Sequence, residues 1–127
     1  MMNKNDVVAV VMGGPSAERE VSLVTGAAIA GALREKGYNV AEIDLDPKKL
    51  AEQLEKCGAK VVFNAVHGLY GEDGRLSAVL EMLGIPYTGS GMLASAWAMD
   101  KAVSKRVMQA AGIPTPASLI FIKGEEC

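Results

Sequence analysis

Cysteine is scarce: Cys57 and Cys127 are the only two in 127 residues. Two thiols are too few for a disulfide framework and lack the spacing of a metal-binding pair, so a reducing, cytoplasmic setting is the expectation. Charge of either sign is also not in excess. Thirteen Lys and Arg stand against 15 Asp and Glu, for a formal net charge of −2. That balance offers no footprint for nucleic acid and no basic face for a membrane surface. No apolar run is long enough to cross a bilayer. The first six residues are short and polar, without the apolar centre of a signal peptide. Histidine occurs once, at His67. The length suits one domain with a real core, burying roughly two-thirds of its unfolded surface.

What the sequence does have is concentrated between Val7 and Ser22, VVAVVMGGPSAEREVS. The apolar, β-branched run Val7–Met12 predicts a strand buried on both faces. Gly13 and Gly14 allow a sharp turn and a close approach of backbone to ligand. Pro15 and Ser16 suit a helix entry, and a helix is predicted from Ala17 with Glu18 and Glu20 in its first turn. A carboxylate there either serves the free N–H groups and positive end of the helix or faces the crevice above a sheet and attracts an ammonium group. The adjacent glycines do not fit the G-x-G-x-x-G dinucleotide pattern, and no lysine follows in P-loop register.

A β-α rhythm continues from there. Val21, Val24, Ala28 and Ala32, widened by Ile29 and Leu33, predict the buried stripe of the first helix, which Gly37 closes. Tyr38–Leu45 is a second strand, with Val40, Ile43 and Leu45 buried. Asp46 and Pro47 open a short helix carrying Leu50 and Leu54, ended by Gly58. Lys60–Val66 is a third strand. Strands separated by helices of this length indicate parallel βαβ units with ligands beyond the carboxyl ends of the strands. His67 stands at such an end, in a loop with Gly68, Gly71 and Gly74; it is either a structural histidine or a ligand contact. Glu72 and Asp73 are expected to cap the helix Arg75–Leu83. Ile85–Thr88 is a short fourth strand, with Pro86 arguing for an edge or strand start. Ser90 is expected to cap Met92–Met99, and Asp100 to cap Lys101–Ala111, leaving Lys101, Lys105 and Arg106 solvated unless a ligand claims them. Ala117–Ile122 reads as a strand with no sheet of its own, expected to be disordered, swapped between copies or laid on a neighbour; the chain reads as cut from a longer protein.

Four segments in order resemble the signatures of D-alanine–D-alanine ligases: Gly13–Ser22, His67–Gly68 with Gly71–Gly74, Pro86–Gly91, and Met99–Asp100–Lys101. The resemblance covers nearly the whole chain. It implies an ATP-grasp enzyme and, within it, the Rossmann-like, three-layer α/β pre-ATP-grasp domain, with a parallel sheet of about four strands and helices on both faces. Residues 1–100 would form that domain, and residues 101–127 a connecting helix and the first strand of the central domain. Further implied are Glu18 holding the ammonium of the first D-alanine and orienting a serine and a tyrosine, Val21 beside the substrate methyl, His67 near its carboxylate, and Lys101 on the nucleotide. The family uses ATP with magnesium to make an acyl phosphate, which the second D-alanine attacks, supplying peptidoglycan precursor. The magnesium carboxylates would lie beyond residue 127, so no metal ligand is expected in this chain. A homodimer through this domain is implied, and no ligase turnover by the chain alone is expected. A D-alanine–D-lactate ligase of the same family is one alternative; a non-catalytic flavodoxin-like or receiver-like module is another.

Overall fold

Val7–Met12 forms β1, and every residue from Val8 to Met12 is buried. Such a strand needs cover on both faces. The computed structural model describes residues 3–121 and 124. β1 is central, flanked in parallel by β2 (Asn39–Asp44) and β3 (Ala59–Asn64), so the strand order is β2-β1-β3. Register runs from Val7 opposite Asn39 to Met12 opposite Asp44 on one side. On the other, Val8 pairs with Val61 and Val11 with Asn64, after an irregularity at Val7.

The two-residue period of the strands sorts the core into two clusters. Ala9 and Val11, with Ile43, Leu45 and Val62, meet Leu50 and Leu54 of α2 (Leu50–Cys57) and Leu76 and Leu80 of α3 (Arg75–Met82). Val10 and Met12, with Ala65, meet Ala30 of α1 (Arg19–Glu35), joined by the half-buried Leu23, Ile29, Leu33, Val40 and Phe63. Fully burying a Leu or Val of this kind contributes about 1.5–3 kcal/mol. The three-layer α/β arrangement is therefore as expected.

The face that α1 buries is not the expected one. Val21 and Val24 are 60 % and 73 % exposed, and Ala28 and Ala32 are exposed with them. Ser22, Gly26 and Ala30, one turn apart, are buried instead. The helix lies too close to the sheet for larger residues: a Cβ built on Gly26 would stand 2.5 Å from Cβ of Met12.

Smaller differences also have local causes. Residues 47–49 form a turn around Asp46, which accepts from the Lys48 N–H (3.0 Å), and α2 begins only at Leu50. The fourth strand shrinks to a single parallel bridge between Val62 and Tyr87. Val62 N–H donates to Pro86 O (2.9 Å) and Thr88 N–H to Val62 O (3.1 Å), while Pro86 itself has no N–H to extend the ladder. Ser90 does not cap α4 (Met92–Met99). The Glu81 carboxylate does, accepting from Met92 N–H at 3.1 Å and from the Tyr87 hydroxyl at 2.5 Å. Those two bonds, Tyr87 first, hold Glu81 below the usual carboxylate range, and Glu81 pushes Tyr87 up. Asp100 caps α5 (Lys101–Ala110) as expected, accepting from Ala102 and Val103 N–H. Residues 113–121 form neither helix nor strand. Ile122, the last residue of the expected terminal strand, lies outside the described residues.

Candidate functional site

After β1 the chain pairs β2 on one side and then crosses to place β3 on the other. The crevice between the carboxyl ends of β1 and β3 is thus the position where ligands gather in sheets of this kind. Gly13 and Gly14, at φ +70° and +81°, turn the chain into this crevice. The buried hydroxyl of Ser22 fastens the turn: it accepts from Gly13 N–H (2.7 Å) and donates to Ala65 O (2.7 Å), tying β1, α1 and the end of β3 at one atom. Ser16 ties the rim. Its hydroxyl donates to His67 O and accepts from Glu18 N–H, both at 3.0 Å.

This brings Glu18 and the His67–Gly68 peptide together. Glu18 is exposed, precedes the first turn of α1 and makes no side-chain cap bond. The acid of that first turn is Glu20. Glu18 instead lies over Gly68, where a built Cβ would stand 2.9 Å from Glu18 Oε2; Gly68 has φ +68°. The His67 ring sits between two side chains. Nε2 is 3.1 Å from Thr25 Oγ1, and Nδ1 is 3.7 Å from Glu72 Oε1. Of the two expected caps, Asp73 does cap, accepting from Arg75 N–H (3.1 Å) and Tyr70 N–H (3.0 Å), whereas Glu72 faces the histidine.

On the β2 side of the same turn, Arg19 and Asp44 form a two-pronged pair: Nη1 donates to Oδ1 at 2.7 Å and Nη2 to Oδ2 at 2.5 Å. Gly14 N–H adds a third bond to Oδ1 (3.2 Å). The hydrogen bond from Arg19 is the chief cause that holds Asp44 below the usual carboxylate range, and the same bond raises Arg19. A planar fork of this kind fixes direction as well as charge.

Val21 follows Glu18 by three residues on α1 and is exposed, free to line the opening rather than the core. Lys101 is the exposed first residue of α5, and no hydrogen bond or ion pair joins it to the Glu18–His67 crevice among the described residues. A single exposed ammonium is not a nucleotide cradle. Among the described residues, no three His, Cys, Asp or Glu groups converge to hold a metal ion, so these residues do not fit magnesium. Sequence reasoning did not find Ser16, Ser22, Thr25 or the Arg19–Asp44 pair as site-builders. Ser22 and Thr25 had a faint signal, four and seven positions after Glu18 at helical spacing, whereas nothing local announces Asp44 as the partner of Arg19.

Comparison with known proteins bears on the same segments. A family model described as the D-ala D-ala ligase N-terminus matches residues 46–90, which include His67 but neither Glu18 nor Lys101. D-alanine–D-alanine ligase of Carboxydothermus hydrogenoformans is 53 % identical over 114 residues, 90 % of this chain and 36 % of that protein. The enzyme of that name from a Caulobacter species is 56 % identical over 117 residues, 92 % of this chain and 36 % of that protein. In structure, D-alanine–D-alanine ligase of Bacillus anthracis complexed with ATP superimposes with a TM-score of 0.86 at 39 % identity, covering 96 % of this chain and 42 % of that one. The chain therefore spans a little over a third of the length of the curated relatives it matches. In sequence and in fold alike, it is similar to the amino-terminal region of the D-alanine–D-alanine ligases.

Proposed function

We propose that this chain forms the first-substrate wall of an ATP-dependent ligase that joins two D-alanines for peptidoglycan precursor synthesis in the cytoplasm. The observation that carries the reading is the approach of the Glu18 carboxylate to Gly68, beside His67. A zwitterionic amino acid needs an anion at its ammonium and a donor at its carboxylate. Glu18 supplies the first and the imidazole of His67 the second, with Val21 beside the methyl group between them. Each contact to a charged group contributes about 1.5–3 kcal/mol. After ordering costs, two of them give roughly millimolar binding.

The further steps of such a ligase need more than this crevice. ATP with magnesium would supply the activated acyl phosphate, and the charge that builds on a transferring phosphoryl group needs cations around it. Lys101 would meet the nucleotide from α5; these 127 residues alone are expected to show no turnover. Residues 1–100 would be the pre-ATP-grasp domain and residues 101–127 the link into an ATP-grasp domain. A homodimer through the former would use exposed apolar side chains such as Val24. The names of the relatives favour D-alanine over D-lactate as second substrate, and the Gly13–Ser16 turn lacks the clustered aspartates of a receiver.

A nitrogen–proton NMR titration with D-alanine tests the reading. Saturating shifts at Glu18, Val21 and His67, with affinity of roughly millimolar order, are expected. Unmoved resonances at all three through tenfold higher concentration would overturn it.

A further inference from the structure

We infer that Thr25 is a positioning residue for His67: its hydroxyl fixes the imidazole ring in the crevice and selects the tautomer with hydrogen on Nδ1. Thr25 follows Glu18 by seven residues, two helical turns, and so stands on the same face of α1. Its Oγ1 is 3.1 Å from Nε2 of His67, 42 residues away in sequence. No other hydrogen bond of that hydroxyl is found among the described residues.

The opposite edge of the ring decides the proton's place. Nδ1 faces Glu72 Oε1 at 3.7 Å, and an ionised carboxylate only accepts. A hydrogen on Nδ1 is attracted by that oxygen, whereas a lone pair there would be repelled. With the hydrogen on Nδ1, Nε2 carries the lone pair and needs a donor, which the Thr25 hydroxyl provides. Neutral imidazole free in water prefers the other tautomer, with hydrogen on Nε2, so the two neighbours together reverse the default. When the ring is protonated, both nitrogens donate, and the same hydroxyl rotates to accept. The ring thus keeps one orientation in both charge states, although a third of its side chain is exposed (34 %). The acidic groups around it are Glu72 from the loop and Glu18 over the neighbouring Gly68; its partner on the helix side is neutral.

The consequence for substrate rests on the proposed function: with Nε2 taken by Thr25, the hydrogen on Nδ1, too far from Glu72 at 3.7 Å to be hydrogen-bonded, is the donor left for the carboxylate of the first amino acid. The tautomer itself needs no substrate, so the two ideas fail separately. Because His67 is the sole histidine, its ring signals in a nitrogen-15-labelled chain are unambiguous. Long-range nitrogen–proton correlation on the neutral ring in alkaline buffer is expected to show a protonated, pyrrole-type Nδ1 and a bare, pyridine-type Nε2. Thr25→Val should move the population toward hydrogen on Nε2, and Thr25→Ser should restore the wild-type pattern. Glu72→Gln, which leaves the hydroxyl in place, should shift it in the same direction as Thr25→Val. A wild-type ring already dominated by hydrogen on Nε2 would overturn the inference, even if Thr25→Val failed to fold. So would a folded Thr25→Val protein with an unchanged pattern.

Discussion

The carboxylate of Glu18 rests against Gly68 so closely that a built Cβ would stand 2.9 Å from Oε2 and 3.2 Å from Ser16 Oγ. The loop after β3 can occupy this place only without a side chain, and only in the left-handed conformation, φ +68°. Gly68→Ala is therefore expected to lower stability by about 1–2 kcal/mol from backbone strain alone and to displace Glu18. Urea denaturation reads the first effect and the amide shift of Glu18 the second. Unchanged values for both would mean that the loop and the carboxylate are not in contact in solution.

Ser22 offers a sharper stability test. Its hydroxyl is fully buried and serves one backbone donor and one backbone acceptor. Ser22→Ala leaves those groups without that partner, which costs about 1–3 kcal/mol. Chemical denaturation should show the loss with the circular dichroism spectrum preserved, while Ser→Ala on the exposed surface, for example at Ser90, should be near neutral.

Gly26 should reverse a familiar rule. Replacing a helical glycine by alanine ordinarily stabilises, by about 1 kcal/mol. Here the new methyl would meet Cβ of Met12 at 2.5 Å and its sulfur at 2.7 Å. Overpacking of that kind costs about 1–3 kcal/mol, so Gly26→Ala is expected to lower the melting temperature. Gly31→Ala, on the same helix with nothing within 4 Å of the built Cβ, should raise it.

The Arg19–Asp44 pair makes a pH-dependent contribution. The folded protein holds the Asp44 carboxyl below its ordinary value. Its stabilising effect is therefore fully present above the ordinary carboxylate range and disappears as the pH falls through the lowered value. Arg19, raised by the same bond, stays charged throughout. Asp44→Asn should lower the urea midpoint at neutral pH, modestly because both side chains are partly exposed, and the two proteins should converge in acid. A gap that widens in acid would contradict the assignment.

Much of this architecture is legible in the letters. Val7–Met12 announces a doubly buried strand because no polar residue interrupts it, and Asp100 announces a helix start because its carboxylate has two free N–H groups to take. The face of α1 is not legible from hydrophobicity. Valine is more apolar than serine or glycine, but Ser22 and Gly26 are buried because the sheet approaches too closely for anything larger. Likewise Ser90 looks like the cap of α4, yet Glu81 reaches across from α3 to fill that role. At the site, Glu18 and His67 stand out as an acid at a helix entry and a lone histidine at a strand end. Thr25 and Asp44 gain their roles only through partners that folding brings from 42 and 25 positions away.

The most direct test compares D-alanine with propionate, which has the same carboxylate but no ammonium group, on the wild-type chain and on Glu18→Gln. If Glu18 receives the ammonium beside His67, D-alanine should shift the Glu18 and His67 resonances of the wild type saturably. Propionate should shift neither protein, and D-alanine should lose its effect on Glu18→Gln. Equal D-alanine binding by wild type and Glu18→Gln would contradict the account.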